Sequence, residues 1–150
     1  MKIHHSAICT RDIEASVRFW RDGLGFVEQM DERFEGDWPT LFQARAPELR
    51  SIFLGDPTDS TGGLVELVEF PAGIDDGAPD VGPPAVGFFL LSVYLDVGPT
   101  LERLARLGFN EEVRRITLVQ GADMAVVHDP NGVRVELIGL GSATGQSEED

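Results

Sequence analysis

One pattern occurs twice in this chain, and it restricts the fold more than any other feature. Asp12 precedes a segment in which Ile13, Val17, Trp20 and Leu24 recur at helical spacing, ending in Leu24-Gly25-Phe26. Asp96 precedes a second apolar-faced segment through Leu101 and Leu104, ending in Leu107-Gly108-Phe109. The offsets agree within one residue: 96 − 12 = 84 for the acidic caps and 108 − 25 = 83 for the glycines. A period longer than half of a 150-residue chain is a duplication of one supersecondary unit; a solenoid would show more copies at a shorter period.

Each copy opens on a strand. In Ile3 to Cys9 a period of two places Ile3, His5, Ala7 and Cys9 on one face and His4, Ser6 and Ile8 on the other, so the two histidines are expected to diverge. Asp12 suits a helix N-cap, and Gly23 or Gly25 a helix stop. Strands are expected over 26–34, 38–45 and 49–54, then a turn-rich loop over 55–63, and then Leu64 to Phe70 as an apolar strand carrying Glu66 and Glu69 on opposite faces. The Gly- and Pro-rich stretch 71–84 reads as a linker. The second copy follows as a strand over 85–94, a helix over 99–107, strands over 110–119 and 123–128, the turn Asp129-Pro130-Asn131-Gly132, and a closing strand Val133 to Ile138. The first copy offers one strand segment more than the second; matched as two copies of one unit, the fold class is α+β, with eight strands and two main helices in pseudo-symmetric βαβββ modules spanning 1–70 and 85–139. A single domain over 1–140 and a disordered tail over 141–150 are expected.

Charge narrows the partners. Twelve basic residues against 26 acidic give a net charge of −14, which repels nucleic acid and anionic lipid unless a local basic stripe intervenes. No apolar run approaches the roughly 20 residues needed to cross a bilayer, and no signal-peptide pattern is visible. The one cysteine, Cys9, allows no internal disulfide and reads as a small core residue. A cytoplasmic protein without nucleic-acid or membrane partners is expected, and a homodimer follows from open sheet edges and concave faces that two chains would cover.

The order of these pieces resembles the vicinal oxygen chelate superfamily, that is, the glyoxalase, bleomycin resistance protein and dioxygenase superfamily. The resemblance rests on His4-His5-Ser6-Ala7-Ile8 with Asp12-Ile13-Glu14, on Gly23-Leu24-Gly25-Phe26, on Val65-Glu66-Leu67, and on Asp129-Pro130-Asn131-Gly132-Val133-Arg134-Val135-Glu136-Leu137, and it runs to about Ile138. It implies a curved eight-stranded mixed sheet holding one divalent metal, with His5, Glu66 and Glu136 as ligands. The family's lyases and epimerases place a fourth ligand, a histidine, seven residues before the second cap, and 96 − 7 = 89 is Phe89. The same count in the first module, 12 − 7 = 5, returns His5.

One imidazole and two carboxylates suit Zn, Mn, Fe, Co or Ni, with open positions for water and substrate. The function so implied is a metal-dependent lyase or isomerase acting on a small oxygenated metabolite, with Glu136 as displaceable ligand and base. A ring-cleaving dioxygenase fits less well, because in this family it uses two histidines and a carboxylate. The alternative class is a metal-free binding protein of the bleomycin-resistance kind, in which Phe88, Phe89, Trp38 and Phe42 wall a ligand pocket. In that case His5 is an ordinary buried histidine, and Glu66 and Glu136 pair with Arg45, Arg114 or Arg134. His4 reads as a surface residue, Glu69 as a solvated charge, and His128 as a strand end.

Overall fold

The first helix shows how directly the apolar stripe becomes packing. Ile13, Val17, Trp20 and Leu24 are all buried, with Trp20 at 0% exposure, while Arg11, Glu14, Arg18, Arg21 and Asp22 face solvent. The Asp12 carboxylate caps this helix by accepting from the Ala15 amide at 3.0 Å. α1 (Ile13–Val17) continues as a π-helical stretch, Arg18–Gly23, and the chain leaves through Gly25 at φ +94°. The matching glycine of the second copy, Gly108, has φ +87°. A side chain would be strained at either, so the repeated Leu-Gly-Phe is a repeated left-handed exit.

The structure, a computed structural model, describes residues 1–78, 81–119 and 121–140. The chain divides into two units, Met1–Pro79 and Asp80–Asp150, a boundary inside the expected linker. The tail 141–150, expected to be disordered, lies outside the described residues.

Unit 1 contains β1 (His5–Cys9), α1, β2 (Val27–Glu35), α2 (Trp38–Phe42), β3 (Glu48–Gly55) and β4 (Leu64–Glu69). Its sheet order is β1-β4-β3-β2, with β1 parallel to β4 and the other neighbours antiparallel. Unit 2 contains β5 (Leu91–Leu95), α3 (Val97–Arg106), β6 (Arg114–Thr117), β7 (Asp123–His128) and β8 (Arg134–Gly139). Its order, β5-β8-β7-β6, repeats the first: opening strand parallel to closing strand, the rest antiparallel. Among the described residues, eight strands thus form two four-stranded mixed sheets of one topology.

Within each unit the helix covers one sheet face. Ile8, Ile52, Leu54, Val65 and Leu67 are buried on the α1 side of the first sheet, and Ala125, Val127, Val135 and Leu137 on the α3 side of the second. The opposite faces are mixed, with Glu66, Phe53 and the buried Val68 in unit 1 and Glu136, Val126 and the buried Arg134 in unit 2. Burying these alternate positions is the main driving force for each unit, at about 25 cal/mol per Å² of apolar surface.

Three local expectations need correction. Residues 38–45 do not form a strand: Asp37 accepts from the Thr40 amide at 3.3 Å, Pro39 occupies the first turn, and α2 results, ended by Gln43 at φ +58°. Residues 85–90 stay irregular, with Gly87 at φ +125°, so β5 is shorter than the apolar run suggested. Cys9 is exposed, because its parity assigns it to the face that α1 does not cover.

Candidate functional site

The closing strand of unit 1 brings Glu66 beside the opening strand. Glu66 pairs with Ala7 on one side and Phe53 on the other, and paired residues share a face. His5, two residues before Ala7, lies on that face too, and its Nε2 stands 3.9 Å from a Glu66 carboxylate oxygen. Side-chain exposure is 34% for His5 and 18% for Glu66, so both remain reachable by a small ligand. The structure therefore brings together two of the three expected ligands.

Two rings fix the His5 side chain. Its ring meets Phe53 edge-to-face at 5.1 Å and His4 at 5.0 Å, and His4 also meets Phe53 at 5.9 Å. The Nδ1 atoms of His4 and His5 are 2.7 Å apart, a hydrogen bond in which one ring must donate and the other accept. The expectation that the two histidines diverge fails because His4 precedes β1 and escapes strand parity. With Nδ1 engaged by His4, the Nε2 atom of His5 faces Glu66.

Cys9 extends the same face. Desolvation first, and the Glu66 carboxylate second, push its thiol above the ordinary value, so it stays protonated at neutral pH and makes a poor nucleophile. Phe42, Gln43, Arg45 and Ile74 close a hollow of about 210 Å³ against it. Arg45 is paired with Asp75 there, not with Glu66.

The corresponding row of unit 2 runs through Ser92, Glu136, Val126 and Arg114, each paired with the next. The Ser92 hydroxyl donates to Glu136 Oε1 at 2.8 Å. Glu136 is half-buried, as is Glu66, so neither carries the full cost of a charge in an apolar interior. In the next row His128 faces Arg134, whose guanidinium lies 4.7 Å from the centre of the Phe89 ring and donates to the Gly82 carbonyl at 2.5 Å. The Asp129 carboxylate builds the turn between these strands, accepting from the amides of Asn131 at 2.9 Å and Val133 at 2.8 Å.

Strand pairing also revises the missing fourth ligand. His5 lies two residues before the partner of Glu66, 7 − 2 = 5; the partner of Glu136 is Ser92, and 92 − 2 = 90 gives Leu90, not Phe89. The link from opening strand to helix cap is one residue shorter in the second copy, which is why counting from Asp96 misses by one. Neither side chain can ligate a metal. Among the described residues, no three His, Cys, Asp or Glu side chains gather into a group able to hold an ion.

Of the anticipated aromatic walls, Phe88 is 74% exposed, and Trp38 stacks on Phe42 at 5.7 Å. The residues that sequence reasoning undervalued are His4, Phe53, Arg114 and His128. Parity relative to Glu136, carried back across the Asp129 turn, would have placed His128 on the Arg134 side.

Comparison with known proteins agrees with this architecture. The family model described as Glyoxalase/Bleomycin resistance protein/Dioxygenase superfamily matches residues 2–137. A lactoylglutathione lyase-like protein, terB of Aspergillus terreus, is 34% identical over 145 residues, covering 91% of this chain and 74% of that protein. A glyoxalase family protein from Bacillus cereus superposes with TM-score 0.73 at 13% identity, covering 93% of each chain. A glyoxalase I variant from Zea mays gives TM-score 0.61 at 21% identity, covering 91% of this chain and 44% of that one. No helix among the described residues is long and apolar enough to cross a membrane. The duplicated topology, the two strand-borne glutamates and the match along nearly the whole chain agree: this protein belongs to the glyoxalase/bleomycin resistance protein/dioxygenase superfamily.

Proposed function

We propose that the chain is a divalent-metal-dependent lyase or isomerase acting on a small oxygenated molecule, with His5, Glu66 and Glu136 as metal ligands and Glu136 moving the proton. The observation that carries this reading is the His5–Glu66 pair. Its 3.9 Å separation is too long for a hydrogen bond. It falls within the ~3.0 to 4.2 Å that two donors span on one ion with bonds of about 2.1 Å. The donor chemistry, one imidazole with carboxylates, suits Zn, Mn, Fe, Co or Ni. When bound, such an ion supplies Lewis acidity that polarises a substrate carbonyl.

The chain's own groups do the rest. His4 and Phe53 hold the His5 ring in one orientation, the way outer partners orient a ligating histidine. Ser92 fixes one oxygen of Glu136; the other, as a displaceable ligand, would once released take a proton from the carbon beside a carbonyl and return it at the neighbouring carbon. The relative's name makes lactoylglutathione the first compound to test. The uncovered sheet faces suit a homodimer, and a single cysteine with no internal disulfide suits a reducing, cytoplasmic setting.

Metal analysis of protein purified without chelator, together with lactoylglutathione turnover, tests the proposal. About one equivalent of metal, with turnover lost in Glu136→Gln, is expected; metal-free protein that reloading leaves inactive would overturn it. The second reading, a metal-free binding protein, is favoured by Leu90 and Phe89 around the fourth ligand position, and saturable ligand binding by the metal-free chain would support it.

A further inference from the structure

One pocket in unit 2 reverses the sign of this acidic chain. Acidic residues outnumber basic ones 26 to 12, yet a pocket of about 410 Å³ is lined by Arg114, His128 and Arg134 together with Phe89, Val126 and the segment 81–84, and no described lining residue is a carboxylate. Strand register explains the gathering. Arg114 pairs with Val126 and His128 with Arg134, so all four belong to adjacent rows of one face. Arg134 is only 7% exposed and is oriented by the Phe89 ring and the Gly82 carbonyl, whereas Arg114 is exposed. A buried guanidinium and an exposed one beside an imidazole form a fork for planar oxyanions.

We propose that this pocket is an oxyanion subsite that takes the carboxylate of a small-molecule ligand whose other end reaches Glu136. Glu136 shares the face: it lies two residues along β8 from Arg134, about 7 Å at the strand rise, and two strands from Arg114, about 10 Å. A ligand anchored at the arginines and reacting at Glu136 is therefore a carboxylate-bearing molecule with its reactive carbon roughly 7 to 10 Å from the acid group. The volume admits a compound of metabolite size. Only the link to Glu136 rests on the proposed function; the subsite itself needs neither metal nor turnover.

The test uses the full chain kept in chelator, so that its outcome is independent of metal loading. Benzoate, inorganic phosphate and uncharged benzamide are titrated at low ionic strength, and binding is followed by calorimetry and thermal shift. Saturable benzoate binding, absent for benzamide and weakened about tenfold in Arg114→Gln, is expected. Arg114 is exposed, so that variant should fold; Arg134→Lys, which keeps the charge and loses the fork, should weaken benzoate as well. Phosphate binding more tightly than benzoate, with the same dependence on Arg114, would uphold an oxyanion subsite and assign it to a phosphoryl group. Equal responses to benzoate and benzamide, no saturable response to either anion, or benzoate binding unchanged in both variants would each overturn the proposal.

Discussion

His5→Ala separates a metal ligand from a structural histidine, and the expected sizes follow from its contacts. In metal-free protein the ring makes a 3.9 Å approach to Glu66 while one-third exposed, a contact contributing about 0–1 kcal/mol. It also makes an edge-to-face contact with Phe53 at 5.1 Å, of order 0.5–1.5 kcal/mol. Removing both should cost about 1 kcal/mol, or ~2–4 °C in melting temperature for a chain of this size. With a divalent ion at a hundred times its Kd, binding adds about 2.7 kcal/mol to the wild type, ~5–11 °C, and His5→Ala should forfeit that increment. Differential scanning calorimetry of chelator-stripped and reloaded protein measures both terms. A full metal-induced rise in His5→Ala would exclude His5 as a ligand, and a loss of about 3 kcal/mol or more without metal would show a structural ring.

Three further outcomes test the scaffold. Asp12→Ala removes the carboxylate that caps α1 and should destabilise the chain by about 1 kcal/mol in urea unfolding. Leu137→Ala empties a site at 0% exposure between β8 and α3 and should cost about 2–5 kcal/mol by the same measurement. The Arg50 guanidinium, bonded to both Asp31 oxygens at 2.9 and 2.8 Å, holds that carboxyl below its ordinary value. A depressed folded value stabilises above the unfolded one, near 4, and the benefit disappears as pH falls through the folded value. Asp31 is 39% exposed, so the effect is at most about 1 kcal/mol, visible as a smaller stability loss between pH 5 and about pH 2 in Asp31→Asn than in the wild type.

The duplication, the apolar stripe of the first helix, the two strand-borne glutamates and the Asp129 turn can all be read along the chain. Each is local: periodicity reports which face is buried, and glycine or aspartate at a boundary reports backbone geometry. Such a reading mistook residues 38–45, because a run of apolar and aromatic residues resembles a strand until the Asp37 carboxylate and Pro39 are seen capping a helical turn. It also misplaced Cys9, since alternation separates two faces without saying which one a helix will cover. Tertiary structure alone decided what stands beside what. His4 turns back onto His5 because it lies outside β1, and Leu90 takes the place counted for Phe89 because β5 and β8 pair in their own register. Arg114, His128 and Arg134 meet because three antiparallel strands bring residues 20 apart in sequence onto adjacent rows of one face, a proximity set by hydrogen-bond register across strands, which no pattern along a single strand encodes.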